Sequence, residues 1–140
     1  MIRNAEEAFT TRKPVGKTLL LVEPDESVAF FLRILIQEEF DCDVLVAPTA
    51  RQAFELVHQL HIDLFILTDA YGMELYDSLH AQPAVERVPA ILLTANLARW
   101  QNEILRRDLI GLNKPCKPAE LLTTINFLLT LAHIKAGNAA

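Results

Sequence analysis

Apolar residues along this chain alternate between short continuous runs and longer stretches in which they recur every third or fourth position. The first run, Thr18-Leu19-Leu20-Leu21-Val22, ends at the punctuators Glu23-Pro24-Asp25 and reads as a buried strand. In the stretch after it, Val28, Phe31, Leu32, Leu35 and Ile36 stand at i, i+3, i+4, i+7 and i+8, one face of a helix. Asp43 to Ala47 reads as a second strand, and Thr49 offers an N-cap to a helix that buries Ala53, Phe54 and Val57. Leu64-Phe65-Ile66-Leu67 is apolar on both faces, as a central strand must be. A short helix from Gly72 to Ala81 then ends at Pro83.

The second half repeats the alternation. Ala90-Ile91-Leu92-Leu93, opened by Pro89 and closed by Thr94, is a fourth strand; a helix over Ala98 to Arg107 follows, then a short extended piece near Gly111-Leu112-Asn113. The last helix carries Leu121, Leu122, Ile125, Leu128, Leu129 and Ala132 on one face. Five strand–helix pairs in about 120 residues predict an α/β fold with helices on both faces of a parallel sheet. Right-handed crossovers favour the three-layer, doubly wound (βα)5 flavodoxin-like sandwich with strand order 2-1-3-4-5. Residues 1–16 lack periodicity and are expected to form a flexible arm, residues 17–133 the domain, and residues 134–140 a frayed tail. At 140 residues, no second domain is expected beside it.

Composition narrows the partners. A net charge of −5, with thirteen Lys and Arg scattered and adjacent only at Arg12-Lys13 and Arg106-Arg107, argues against a general binder of nucleic acid or anionic membranes. No run approaches the ~20 apolar residues of a membrane span, and the N-terminus, with Glu6, Glu7 and Pro14, does not read as a signal peptide. Cys42 and Cys116 have no metal or redox spacing and are expected as two reduced thiols. The expected location is therefore cytoplasmic. An enzyme is not expected: the four glycines make no phosphate-cradling loop, and nothing completes a metal site around His58 and His61, while His80 and His133 stand alone.

In an open α/β sheet, ligands bind beyond the carboxyl ends of the strands. The residues there are Glu23-Pro24-Asp25, Thr68-Asp69, Thr94 and Lys114-Pro115. Together with Val88-Pro89-Ala90-Ile91-Leu92-Leu93-Thr94-Ala95 and the segment from Leu112 to Leu122, they resemble a two-component response-regulator receiver domain of the CheY-like type over residues 17–133. The family pattern is an acidic pair after strand one, a phosphoaccepting aspartate ending strand three, Thr or Ser ending strand four, and Lys-Pro after strand five. The resemblance implies a Mg²⁺ ion on clustered carboxylates, here Glu23, Asp25 and Asp69 at most, with Thr94 and Lys114 supporting the phosphoryl group. It also implies a cis peptide before Pro115.

Four departures mark the pocket as degenerate. Proline at position 24 replaces the second acid. Counting from Asp63 puts Thr68 at the phosphoacceptor position, and a one-residue slip would put Asp69 there instead; the two alternatives exclude each other because a slip reverses side-chain direction. Only Asp69, Ala70 and Tyr71 separate Thr68 from Gly72, where receivers have a longer loop. Gly111, three before the lysine, stands in place of the switch aromatic. The expectation is a pseudo-receiver acting by protein–protein contact with a histidine kinase or a downstream signalling protein and needing no cofactor. The alternative is a working response regulator phosphorylated on Asp69 with Mg²⁺. The face of helix four, strand five and helix five, with Trp100, Leu109 and Ile110, is the expected partner or homodimer surface.

Overall fold

The computed structural model describes residues 16–107 and 109–139, the side chains at 70, 72 and 133–139 excepted. Strands β1 (Lys17–Val22), β2 (Cys42–Ala47), β3 (Leu64–Thr68), β4 (Ala90–Thr94) and β5 (Leu109–Asn113) form one parallel sheet in the order β2-β1-β3-β4-β5. Helices α1 (Glu26–Glu39), α2 (Ala50–Gln59), α3 (Gly72–His80), α4 (Leu97–Leu105) and α5 (Pro118–Ala139) connect and cover it. Short 3-10 turns at Asp69–Tyr71 and Pro83–Val85 flank α3. Every residue of β3 and β4 is buried, which explains their apolar runs without alternation.

Two cores sandwich the sheet. On one face Leu19, Leu21, Leu64, Ile66, Ile91 and Leu93 pack against Leu32 and Ile36 of α1 and Leu121, Ile125 and Leu129 of α5. On the other, Leu20, Val22, Phe65, Leu67 and Leu92 pack against Ala53 and Val57 of α2 and Tyr76 and Leu79 of α3. Local chemistry sets the helix starts: Asp25 Oδ1 accepts the N–H groups of Ser27 and Val28, and Thr49 Oγ1 accepts that of Gln52. Asp63 ties β3 to β1 twice, since its N–H donates to the Thr18 carbonyl and its Oδ2 accepts the Thr18 N–H, both at 2.8 Å. That tether fixes the register Leu19↔Leu64. His80 closes α3 onto the turn before β4, its ring nitrogens 2.8 Å from the Tyr76 carbonyl and 2.7 Å from the Val88 carbonyl.

Several expectations need correction. The buried face of α1 is Ala29, Leu32 and Ile36, with Val28 and Leu35 half-buried, while Phe31 is exposed. Phe54 is half-buried. Leu109 and Ile110 are strand residues, Leu109 in the core and Ile110 packed against it, and Trp100 also packs on the core with Arg99 over its ring at 4.9 Å. Leu109 is thus lost to the expected α4–β5–α5 surface, while Trp100 and Ile110 stay half-buried there. Residues 134–139, expected as a tail, continue α5. Of the expected arm only Gly16 lies within the described residues; its φ of 73° is a conformation glycine adopts without steric cost. Among the described residues no helix is long and apolar enough to cross a membrane.

Candidate functional site

Strand alternation decides which pocket residues meet. Leu19 and Leu21 of β1, Leu64 and Ile66 of β3, and Leu112 of β5 belong to the α1/α5 core. The next residues in the same phase are Glu23, Thr68 and Lys114. Phe65 and Leu67 of β3 and Ala90 and Leu92 of β4 belong to the opposite core, and their phase continues to Asp69 and Thr94. The hydrogen bonds follow this division. Lys114 Nζ lies 3.1 Å from Glu23 Oε1, and the Thr94 hydroxyl donates to Asp69 Oδ2 at 2.5 Å.

The first pair is a bridge across the sheet. Because β3 and β4 lie between β1 and β5, Lys114 reaches over their carboxyl ends to Glu23. Glu23 is only 3% exposed, and its other oxygen, Oε2, accepts the Asp25 N–H at 3.0 Å. Lys114 keeps about a third of its side chain in solvent and precedes Pro115 across a cis peptide, as the resemblance implies. Thr68, at the end of β3 on the same side, is 1% exposed, and its Oγ1 has no hydrogen-bond partner among the described residues. It is Thr68, then, that shares the side of Lys114, while Asp69 turns to Thr94.

The second pair is fastened from behind. Thr94 is fully buried; its Oγ1 also accepts the Asn96 N–H at 3.0 Å, and its carbonyl accepts the Lys114 N–H at 2.9 Å. Asp69 opens the 3-10 turn that runs straight into α3, and the Tyr71 hydroxyl ties this short turn to the Pro48 carbonyl at 3.0 Å. Asp25, exposed, is occupied in capping α1.

These commitments decide whether a Mg²⁺ ion fits. Such an ion needs several oxygen ligands converging on one point. Glu23 is held by an ammonium group, Asp25 by amides, Asp69 by a hydroxyl, and position 24 supplies no oxygen from its side chain. Among the described residues no three His, Cys, Asp or Glu side chains gather closely enough to hold a metal ion. As arranged, the residues do not fit the ion. The histidines act separately: His58 Nδ1 lies 2.7 Å from the Phe54 carbonyl and His61 Nε2 lies 2.9 Å from Asp63 Oδ1. Cys116, beside Pro115, is a thiol pushed up in pKa by burial.

Sequence reasoning missed how the switch position is filled. A Cβ on Gly111 would stand 2.6 Å from Leu97 Cδ1 and 2.6 Å from Ile104 Cδ1. Two α4 side chains thus occupy the space a β5 side chain would take. The signal was available: Leu97 and Ile104 are seven apart, on one helix face, opposite a glycine. Also missed was the clamp at the end of α4. Arg107 Nε and its NH2 nitrogen donate to Asp77 Oδ1 and Oδ2 at 2.8 and 2.9 Å, and Arg107 also bonds Glu103. This bidentate pair holds Asp77 below its ordinary pKa and Arg107 above its own.

No family model and no curated protein matches the sequence. Solved structures do. The receiver domain of the Francisella response regulator 1452 is 24% identical with a TM-score of 0.74, covering 84% of this chain and 99% of that one. A response regulator from Desulfuromonas acetoxidans is 25% identical with a TM-score of 0.69, over 82% and 98%. The Vibrio cholerae chemotaxis protein CheY4 is 21% identical with a TM-score of 0.72, over 81% and 98%. With its strand order, its two-sided helical cover and its cis Lys-Pro at the mouth of the sheet, the chain has the fold of response-regulator receiver domains.

Proposed function

We propose that this chain is a pseudo-receiver: a signalling module of a two-component pathway that works through protein–protein contact without being phosphorylated. The observation that carries this reading is the Glu23–Lys114 pair, on the side of the sheet where β3 ends in Thr68 rather than in the aspartate of a receiver. A phosphoryl group needs the lysine and a metal to neutralise its oxygens, and here a buried carboxylate takes the lysine. The filled space at Gly111 supports the same reading, because Thr94 has no ring beside it to move. Its partner is a histidine kinase or a downstream signalling protein, its place is the cytoplasm, and its role involves no catalysis of its own.

One observation favours the alternative. The Thr94 hydroxyl bonds Asp69, bringing together an acid that would receive a phosphoryl group and the hydroxyl that would then hydrogen-bond it. That reading makes Asp69 the phosphoacceptor, and it requires Glu23 to leave Lys114 so that an ion can bind. The test is incubation with Mg²⁺ and millimolar acetyl phosphate or beryllofluoride. The expected result is an unchanged intact mass and unchanged amide NMR spectrum. A stoichiometric phosphoaspartate that disappears in Asp69→Asn would overturn the proposal and establish the alternative.

A further inference from the structure

We propose that α1 is a self-association surface, through which two copies of this chain pair with their α1 helices antiparallel about a twofold axis near Phe30 and Phe31. The inner face of the helix is Ala29, Leu32 and Ile36. Its outer face carries Phe30 at 66% exposure, Phe31 at 57% and Ile34 at 40%, three of the six exposed large hydrophobics among the described residues. Scattered apolar residues at a surface are ordinary, but three within two turns of one helix form a patch.

The area suits a second copy. At the ~150–250 Å² that an aromatic side chain can bury, these three residues offer on the order of 300 Å² per protomer. A twofold contact doubles that, and the polar flanks bring the total to about 1,000 Å², the lower bound for a specific interface. The expected complex is thus a weak, concentration-dependent dimer. An open groove of about 530 Å³ beside the helix, walled by Val46 and Pro48 across from Phe30 and Arg33, leaves room for an aromatic ring of the second copy.

Charge selects the antiparallel arrangement. Glu26, Phe30 and Arg33 stand at i, i+4 and i+7 on one flank of the helix. A twofold axis lying across the two helices sets each flank against its own copy. With Phe30 opposite Phe31 of the second copy, Glu26 and the second copy's Arg33 are offset by about 3 Å along the axis, within side-chain reach. The twofold makes this contact twice, so one patch complements itself, as an isologous interface requires.

The test is sedimentation equilibrium of the full chain from about 1 to 500 µM, the range in which a contact of this size dissociates. Wild type should show a monomer–dimer equilibrium. Glu26→Arg and Arg33→Glu alone should each weaken it at least about tenfold, and the double variant should restore it to within about threefold. Ile34→Glu should abolish it. All four variants change exposed positions, and thermal melts within a few degrees of wild type would confirm that they fold. A chain monomeric throughout would overturn the proposal and leave the patch to a different protein. So would a dimer indifferent to the single reversals, or one that the double variant fails to restore.

Discussion

Replacing Lys114 by Met tests whether the Glu23–Lys114 bridge holds the mouth of the sheet together. At 3.1 Å, and with an effective dielectric near 20, the attraction is about 5 kcal/mol. Desolvating Glu23, which is 3% exposed, offsets much of it, leaving a net coupling of about 1–3 kcal/mol. Removing the lysine strands a buried carboxylate with only the Asp25 amide to satisfy it. Breaking a fully buried pair costs about 3–5 kcal/mol, and the partial exposure of Lys114 lowers the expectation to about 2–3 kcal/mol. In a domain of this size that is a fall in Tm of roughly 6–10 °C. Glu23→Gln should cost less, about 1 kcal/mol, because Lys114 can turn into water while the amide oxygen keeps the Asp25 N–H. Urea unfolding of both single variants and the double closes the cycle. The reasoning fails if Lys114→Met costs less than Glu23→Gln, or if the double variant costs the sum of the singles.

Thr68→Val removes a buried hydroxyl that has no partner among the described residues and should be neutral or stabilising by up to about 1 kcal/mol in urea unfolding; a comparable loss would mean that the hydroxyl is satisfied. The Arg107 bond holds the folded pKa of Asp77 below its ordinary 3.8. Its contribution should therefore be constant above about pH 5 and fall away as pH drops below 3.8 through the folded value. The stability difference between wild type and Asp77→Asn should shrink over that acid range, and a difference independent of pH would refute the assignment. Burial, then Asp43 and Asp41, push the Cys42 thiol up to about 11. At pH 8 about one molecule in a thousand is thiolate, so alkylation of native Cys42 should be slow and rise about tenfold per pH unit to pH 10; labelling as fast as free cysteine would contradict it.

The sheet was legible because each strand is a short apolar run closed by a polar or turn residue, and the pocket positions followed from the strand ends. On helix α1 the expected face held except at Phe31: the helix is apolar nearly all round, so periodicity admits Phe31 as readily as Ala29, and only the sheet decides. That Thr68 rather than Asp69 shares the side of Lys114 depends on the register of β3, which the tether from Asp63 to Thr18 holds, a contact 45 positions apart that no local pattern carries. Asp25 was expected as a metal ligand, and the start of α1 claims it as a cap instead. Strand β5 was placed too short, because Leu109 and Ile110 directly follow the charged end of α4 and gain strand geometry only by pairing with Ala90 and Ile91.

The occupied space at Gly111 also bears on how closely two elements approach. A ring placed at position 111 by one substitution would meet the terminal methyl groups of Leu97 and Ile104. Both are ends of flexible side chains on a helix that is only half-buried there, so they would turn aside rather than block it. Glycine at this position therefore sets the distance between α4 and β5, and any larger residue would be accommodated by loosening that seam rather than by disturbing the sheet.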